Sequence, residues 1–134
     1  MSDIVGCIFI SKNNNKILLL KRSMIDPKDK FKGYWSIVTG HMDKGELPYQ
    51  SIDREVSEEL GVPRNEFKFS RCGTYKTHNN NNLYLYYSLV SEEFKPSLNN
   101  ENTDYQWCDQ DELPKKLYPG TKEKVKSIFS TLTL

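Results

Sequence analysis

Cysteine is scarce in this sequence, and the three cysteines present are far apart. Cys7, Cys72 and Cys108 are odd in number and form no C-x-x-C pair. Disulfide frameworks and structural zinc sites usually rely on paired or closely spaced cysteines. The pattern therefore favours free structural thiols in a reducing compartment.

Long apolar runs and an excess of one charge are also missing. No segment approaches the roughly 18 consecutive apolar residues of a membrane span, and residues 1–11 lack the basic region of a signal peptide. Lys and Arg together number 19 against 18 for Asp and Glu, a net charge of +1, so no basic surface is indicated. We expect a cytoplasmic protein that binds neither membrane nor specific nucleic acid; the pattern leaves the oligomeric state open.

The order of apolar and turn-forming segments predicts a single domain over residues 1–134, with no internal repeat or linker. Expected strands cover 4–10, 17–20, 35–38, 67–77, 83–90 and 105–108. One expected helix begins at Leu47 or Pro48 and ends at Leu60, and a second, final helix begins after Thr121 as its capping residue. Such an order is typical of an α/β (α+β) fold in which a mixed β-sheet is sandwiched between α-helices.

Glycines and acidic residues concentrate at residues 40–62, GHMDKGELPYQSIDREVSEELGV. On a helix, Glu55, Glu58 and Glu59 lie at i, i+3 and i+4 and share one face. Like charges at this spacing repel each other, and a divalent cation would relieve the repulsion. Because Mg²⁺ prefers oxygen ligands and is commonly shared with phosphates, these glutamates are candidate metal ligands.

The spacing of this segment, G-x5-E-x7-R-E-x2-E-E-x-G, resembles the box of the Nudix (MutT-like) hydrolase family. The resemblance implies that the Gly40 carbonyl joins the three glutamates around the metal, and that Glu58 or Glu59 takes part in catalysis. It implies that Arg54 pairs with an acid and orients the glutamates, and that Gly61 is structural. Glu46 is then either the acid partner of Arg54 or a group that orients water.

A second segment is similar to the acidic loop and Trp-bearing strand of Nudix hydrolases, namely residues 101–107, ENTDYQW. By this resemblance Glu101 is a further metal-facing carboxylate or the general base; the alternative is a solvated acid in an Asn-rich turn. Arg22 and Lys32 are candidates for binding phosphate, or else they solvate a loop. Thr39, where many family members have proline, is a third candidate substrate residue. His41 and His78 are expected to be ordinary surface or loop histidines.

The resemblance implies a Mg²⁺-dependent pyrophosphohydrolase, with Mn²⁺ as a possible substitute, that cleaves a nucleoside diphosphate linked to another moiety. The substrate classes left open are nucleoside triphosphates, dihydroneopterin triphosphate, dinucleoside polyphosphates and ADP-ribose. The alternative is a non-hydrolytic Nudix domain, either a ligand-sensing module or an isomerase of isoprenoid diphosphates. A fold alone does not decide between these functions.

Overall fold

The computed structural model describes residues 3–77 and 79–132 and contains a mixed sheet of seven strands and two helices. The expectation for His78 lies outside the described residues. The elements are β1 (Ile4–Ser11), β2 (Ile17–Arg22), β3 (Trp35–Ser36), β4 (Val38–His41), α1 (Pro48–Leu60), β5 (Ser70–Lys76), β6 (Asn82–Val90), β7 (Asn102–Cys108) and α2 (Thr121–Thr131).

Strand β1 is the centre of the sheet. It pairs in parallel with β6 along its whole length and antiparallel with β4 and β2, while β7 and β3 both pair with β2. Strand β5 completes a hairpin with β6, as the sequence predicts. This arrangement brings β4 and β7, the two strands next to the acidic segments, to neighbouring positions around β1 and β2.

Alternation along β1 divides the core into two layers, one on each face of the sheet. Val5, Cys7 and Phe9 pack with the apolar stripe of α1, whereas Ile8 and Ile10 pack with the inward residues of α2. Side chains of successive strand residues point to opposite faces, so one fully buried strand can support a helix on each side. The predicted sandwich of a mixed sheet between helices is confirmed.

Several predicted boundaries are wrong. The expected strand at 35–38 is two short strands, and residues 67–69 precede β5 instead of belonging to it. Thr121 does not cap α2 but is its first residue, because Gly120 holds the capping position with a left-handed φ of 87°, a backbone conformation that glycine adopts far more easily than threonine. No helix in the described residues is both long and apolar enough to cross a membrane.

Candidate active site

Helix α1 places the acidic residues beside the sheet. Its buried residues Ile52, Val56 and Leu60 face β1, which leaves Glu55 and Glu59 on the flank of this stripe, facing β4. The helix begins without a side-chain oxygen at its capping residue Leu47, whose backbone N–H instead donates to Gln50 Oε1 at 2.9 Å. Packing of the apolar stripe therefore fixes this helix more than its own cap does.

Three carboxylates from two parts of the chain meet at this flank. Single oxygens of Glu55, Glu59 and Glu101 all lie within 4.8 Å of one another. Glu59 is only 4% exposed, and its Oε1 accepts a hydrogen bond of 3.1 Å from Asn102 Nδ2. Its Oε2 is buried and has no hydrogen-bond partner among the described residues. An unsatisfied buried carboxylate oxygen is costly, so it indicates a missing positive partner.

Electrostatics at the cluster are consistent with a cation site. Burial raises the pKa of Glu59 well above its usual range, and the nearby charges of Glu55 and Glu101 raise it further. Burial likewise raises the pKa of Glu55, although the charge of the neighbouring Arg54 and the hydrogen bond from it oppose this effect. A set of oxygen ligands with one unpaired buried oxygen suits a hard divalent cation such as Mg²⁺.

Gly40 makes the close approach of β4 and α1 possible. A Cβ atom at this position would overlap the side-chain carboxyl of Glu55. Only glycine allows the backbone of β4 to lie directly against that carboxylate. The geometry thus gives Gly40 a steric role beside the cluster, and coordination by its carbonyl stays a prediction.

Arg54 binds Glu46 and Glu58, which lie outside the cluster, and also contacts Glu55 within it. Its guanidinium donates to Glu46 at 2.8 Å, to Glu58 at 2.9 Å and to Glu55 at 3.0 Å, and to the His41 carbonyl at 3.0 Å. The Glu58 side chain is half exposed, at 50%, and is not one of the three clustered carboxylates. Arg54 therefore ties the glycine-containing loop to α1 and touches Glu55 directly.

Glu46 is fully engaged by its neighbours. The hydrogen bond from Arg54, assisted by one from the Ser51 hydroxyl and one from the Asp43 backbone, lowers the pKa of Glu46 to about 2. A carboxylate with so low a pKa is a weak proton acceptor at neutral pH. Of the two roles open to Glu46, the contacts are those of an acid partner for Arg54.

The carboxylate cluster opens into a cleft of about 1100 Å³. Arg22, Thr39, Gly40, Glu55, Glu59 and Glu101 are among its lining residues. Lys32 is not among them, although Lys28 and Lys30 of the same loop are. Arg22 reaches the cleft already paired with Asp29 at 3.0 Å and lies 5.4 Å from the centre of the Tyr118 ring. The candidate phosphate-binding residues are therefore only partly brought together with the acids.

Residues that the pattern did not single out complete the site. Asn102 holds Glu59, Ser51 supports Glu46, and Asp29 fixes Arg22. Asn102 directly follows Glu101, and this adjacency was the one available signal, because the predicted strand began only at residue 105. The contacts of Ser51 and Asp29 depend on loop paths that local sequence patterns do not encode.

Comparison with known proteins identifies the family of this chain. A model of the NUDIX domain matches residues 2–128. Nucleoside triphosphatase NudI of Escherichia coli K12 is 30% identical over 113 residues, which cover 76% of this chain and 79% of that protein.

Solved structures resemble the whole fold. The NUDIX domain of Shewanella oneidensis NrtR complexed with ADP ribose gives a TM-score of 0.79 at 18% identity, covering 99% of this chain and 89% of that one. A C. elegans Ap4A hydrolase gives 0.77 at 19% identity, covering 96% of each chain. At these identities the likeness concerns the fold.

The matched family model spans the glycine of β4, the acidic helix α1 and Glu101. The prediction of the family, of its fold and of an enzymatic activity is confirmed at this level. The chain therefore belongs to the NUDIX domain family, as a hydrolase that acts on phosphorus-containing acid anhydrides.

Proposed function

We propose that the protein is a Mg²⁺-dependent pyrophosphohydrolase of nucleoside triphosphates, able to use Mn²⁺ in place of Mg²⁺. The observation that carries the proposal is the buried, unpartnered Oε2 of Glu59 within a cluster of three carboxylates that opens into a large cleft. The similarity to NudI, a nucleoside triphosphatase, favours this substrate class over the others that the sequence left open.

Glu55 and Glu59 would hold the cation together with the Gly40 carbonyl, and Glu101 would lie beside it. When bound there, a divalent cation neutralises phosphate charge and lowers the pKa of a coordinated water. Asn102 keeps Glu59 oriented, and Arg54 restrains Glu55 from the opposite side. Positioning and charge neutralisation of this kind supply most of the acceleration in phosphoryl transfer.

Glu101 is the best candidate for accepting a proton from the attacking water. It lies in the cluster but is exposed at the mouth of the cleft, where water can reach it. Glu46 and Glu58 are both engaged by Arg54, so we assign them positioning roles. Glu59 is buried, and its carboxylate would bind the cation instead of accepting a proton.

A ligand-sensing module is the second candidate, favoured by the likeness to the NrtR domain with bound ADP ribose. A sensor has no need to retain a carboxylate cluster in its cleft, which favours hydrolysis. An isomerase would need a reactive cysteine, and none of the cleft-lining residues in the described part of the chain is a cysteine. The free thiols support a cytoplasmic location.

The test compares E59Q and E101Q with E92Q, which changes an exposed glutamate that does not line the cleft. Loss of a cation ligand should lower kcat for nucleoside triphosphates by at least about 100-fold, since metal catalysis supplies several kcal/mol. Loss of a general base should cost about 100-fold or more. Turnover is measured with Mg²⁺, with Mn²⁺ and with chelator, and products are identified by phosphorus NMR. Activity in E59Q equal to that of E92Q would refute the proposed role of the cluster.

A further inference from the structure

The wall of the cleft opposite the acidic helix carries a second set of polar groups. This wall consists of the end of β5 and the start of α2, and its cleft-lining residues are Lys76, Thr77, Tyr118, Pro119, Gly120, Thr121 and Lys124. Because α1 and α2 pack on opposite faces of the sheet, these groups belong to the other layer of the fold. The cleft thus combines the carboxylates of α1 with lysines carried by β5 and α2.

Lys124 is held in a built position in this wall. Its Nζ lies 5.4 Å from the centre of the Tyr75 ring and 3.4 Å from the Gly120 carbonyl oxygen. A Cβ atom at residue 120 would come within 2.7 Å of that Nζ, so glycine leaves the space that the ammonium group fills. No carboxylate of the described residues lies within ion-pair distance of Lys124.

Thr121 supplies a second polar group beside Lys124. Its side chain lines the cleft although the residue is only 4% exposed. Its backbone N–H donates to the Tyr118 carbonyl at 3.1 Å. This bond anchors the start of α2, the helix that carries Lys124 into the cleft.

The lysine wall and the carboxylate cluster belong to one continuous cleft. The Ser23 backbone N–H donates to the Glu101 carbonyl at 2.9 Å, and the neighbouring Arg22 lies over Tyr118. Tyr118 in turn accepts the hydrogen bond from Thr121. Residues of both walls line the same cleft, so a single extended ligand can contact both.

We propose that Lys124 determines specificity by binding a phosphate group of the nucleotide that lies beyond the phosphates held at the carboxylate cluster. The inference rests on the proposed function and deepens it, because it favours nucleoside triphosphates over diphosphates. A cation at the acidic wall would neutralise the phosphates next to the cleaved bond, and a further phosphate needs a further positive charge. Lys124 supplies this charge from the other layer of the fold.

The electrostatic setting of Lys124 agrees with this role. Burial lowers the pKa of Lys124, and the charge of Glu123 only partly opposes the effect. A half-buried ammonium without a carboxylate partner is unfavourable in the free protein. A phosphate placed against it would relieve that cost through a charge-assisted hydrogen bond.

The experiment measures binding, so that it does not depend on turnover. Adenosine triphosphate and diphosphate analogues with a methylene group between the α and β phosphates are titrated calorimetrically in the presence of Mg²⁺. We expect K124M to weaken binding of the triphosphate analogue about tenfold and that of the diphosphate analogue less than about twofold, the effect of losing one charge-assisted contact. K124R should retain part of the preference.

The matched control is K122A, which removes an exposed lysine of α2 that does not line the cleft. It should bind both analogues as the wild type does. Three results would each overturn the inference. K124M could weaken binding of both analogues equally, K124M could leave binding of both unchanged, or the wild type could show no preference for the triphosphate analogue. If no nucleotide were hydrolysed but K124M still lost the preference for the triphosphate analogue, only the proposed function would be refuted.

Discussion

Glu59 is the residue on which the candidate site most depends. It is almost fully buried, one of its oxygens has no partner among the described residues, and two other carboxylates lie beside it. Folded proteins are only marginally stable, so burying a charged group in such surroundings costs an appreciable part of the total free energy of unfolding. Sites that lower stability in this way are commonly retained for function.

A dependence of stability on pH follows from this burial. The raised pKa of Glu59 means that the folded protein keeps a proton that the unfolded chain loses near 4.5. This contribution is fully present below the unfolded pKa and is lost as the pH rises through the folded pKa. We therefore expect the thermal midpoint of the metal-free wild type to fall, relative to that of E59Q, between pH 5 and pH 8.

Melting curves with chelator at the two pH values check this expectation. Other groups also titrate in this range, so the informative quantity is the difference between wild type and E59Q. E92Q keeps Glu59 and should follow the wild type. Equal changes in the wild type and E59Q would show that the Glu59 carboxyl does not carry the effect.

At the scale of single elements, α1 was the most predictable part of the site. Pro48 at its start and Gly61 at its end set its limits, and the i, i+4 spacing placed Glu55 and Glu59 on one face. The same spacing could not separate Glu58 from them, because its position is decided by Arg54. The approach of Glu101 depends on the pairing of β7 with β2, which is a tertiary contact that no local pattern encodes.

Gly61 allows a prediction at this scale, because the end of α1 needs glycine for two separate reasons. Its φ is 67°, and a Cβ atom would lie 2.7 Å from the Ser97 carbonyl oxygen. Gly45 also has a left-handed φ, 85°, but open space around it. We expect G45A to lower the free energy of unfolding by about 1 kcal/mol, and G61A by about 2 kcal/mol or more, because the clash adds to the backbone strain.

Urea denaturation measures both variants under the same conditions. The difference between them isolates the contact with Ser97, since the backbone strain is common to both. Equal losses of stability would mean that residues near 97 move aside without cost. The end of α1 would then depend on the φ of Gly61 alone.

At the scale of the whole molecule, the site exists only when the fold is complete. The order of strands and helices predicted a mixed sheet between helices, and this prediction is confirmed. The cleft itself was not predictable, because it combines residues of β2, β4, α1, β5 and α2 that no sequence pattern places near one another. Its lining residues come from both layers, so the cleft forms only when both helices are packed on the sheet.

The dependence of the site on the whole fold gives a final prediction. A cation that binds only the assembled cluster of Glu55, Glu59 and Glu101 stabilises the folded state by mass action. At a Mg²⁺ concentration about 100 times Kd, the gain is about 2.7 kcal/mol, which for a domain of this size raises the thermal midpoint by about 10 °C. Melting curves with Mg²⁺ are compared with curves in NaCl of equal ionic strength. E59Q should lose most of the gain and E92Q none of it. If E59Q kept the full gain, the stabilising cation would have to bind elsewhere, and the cluster would not be its site.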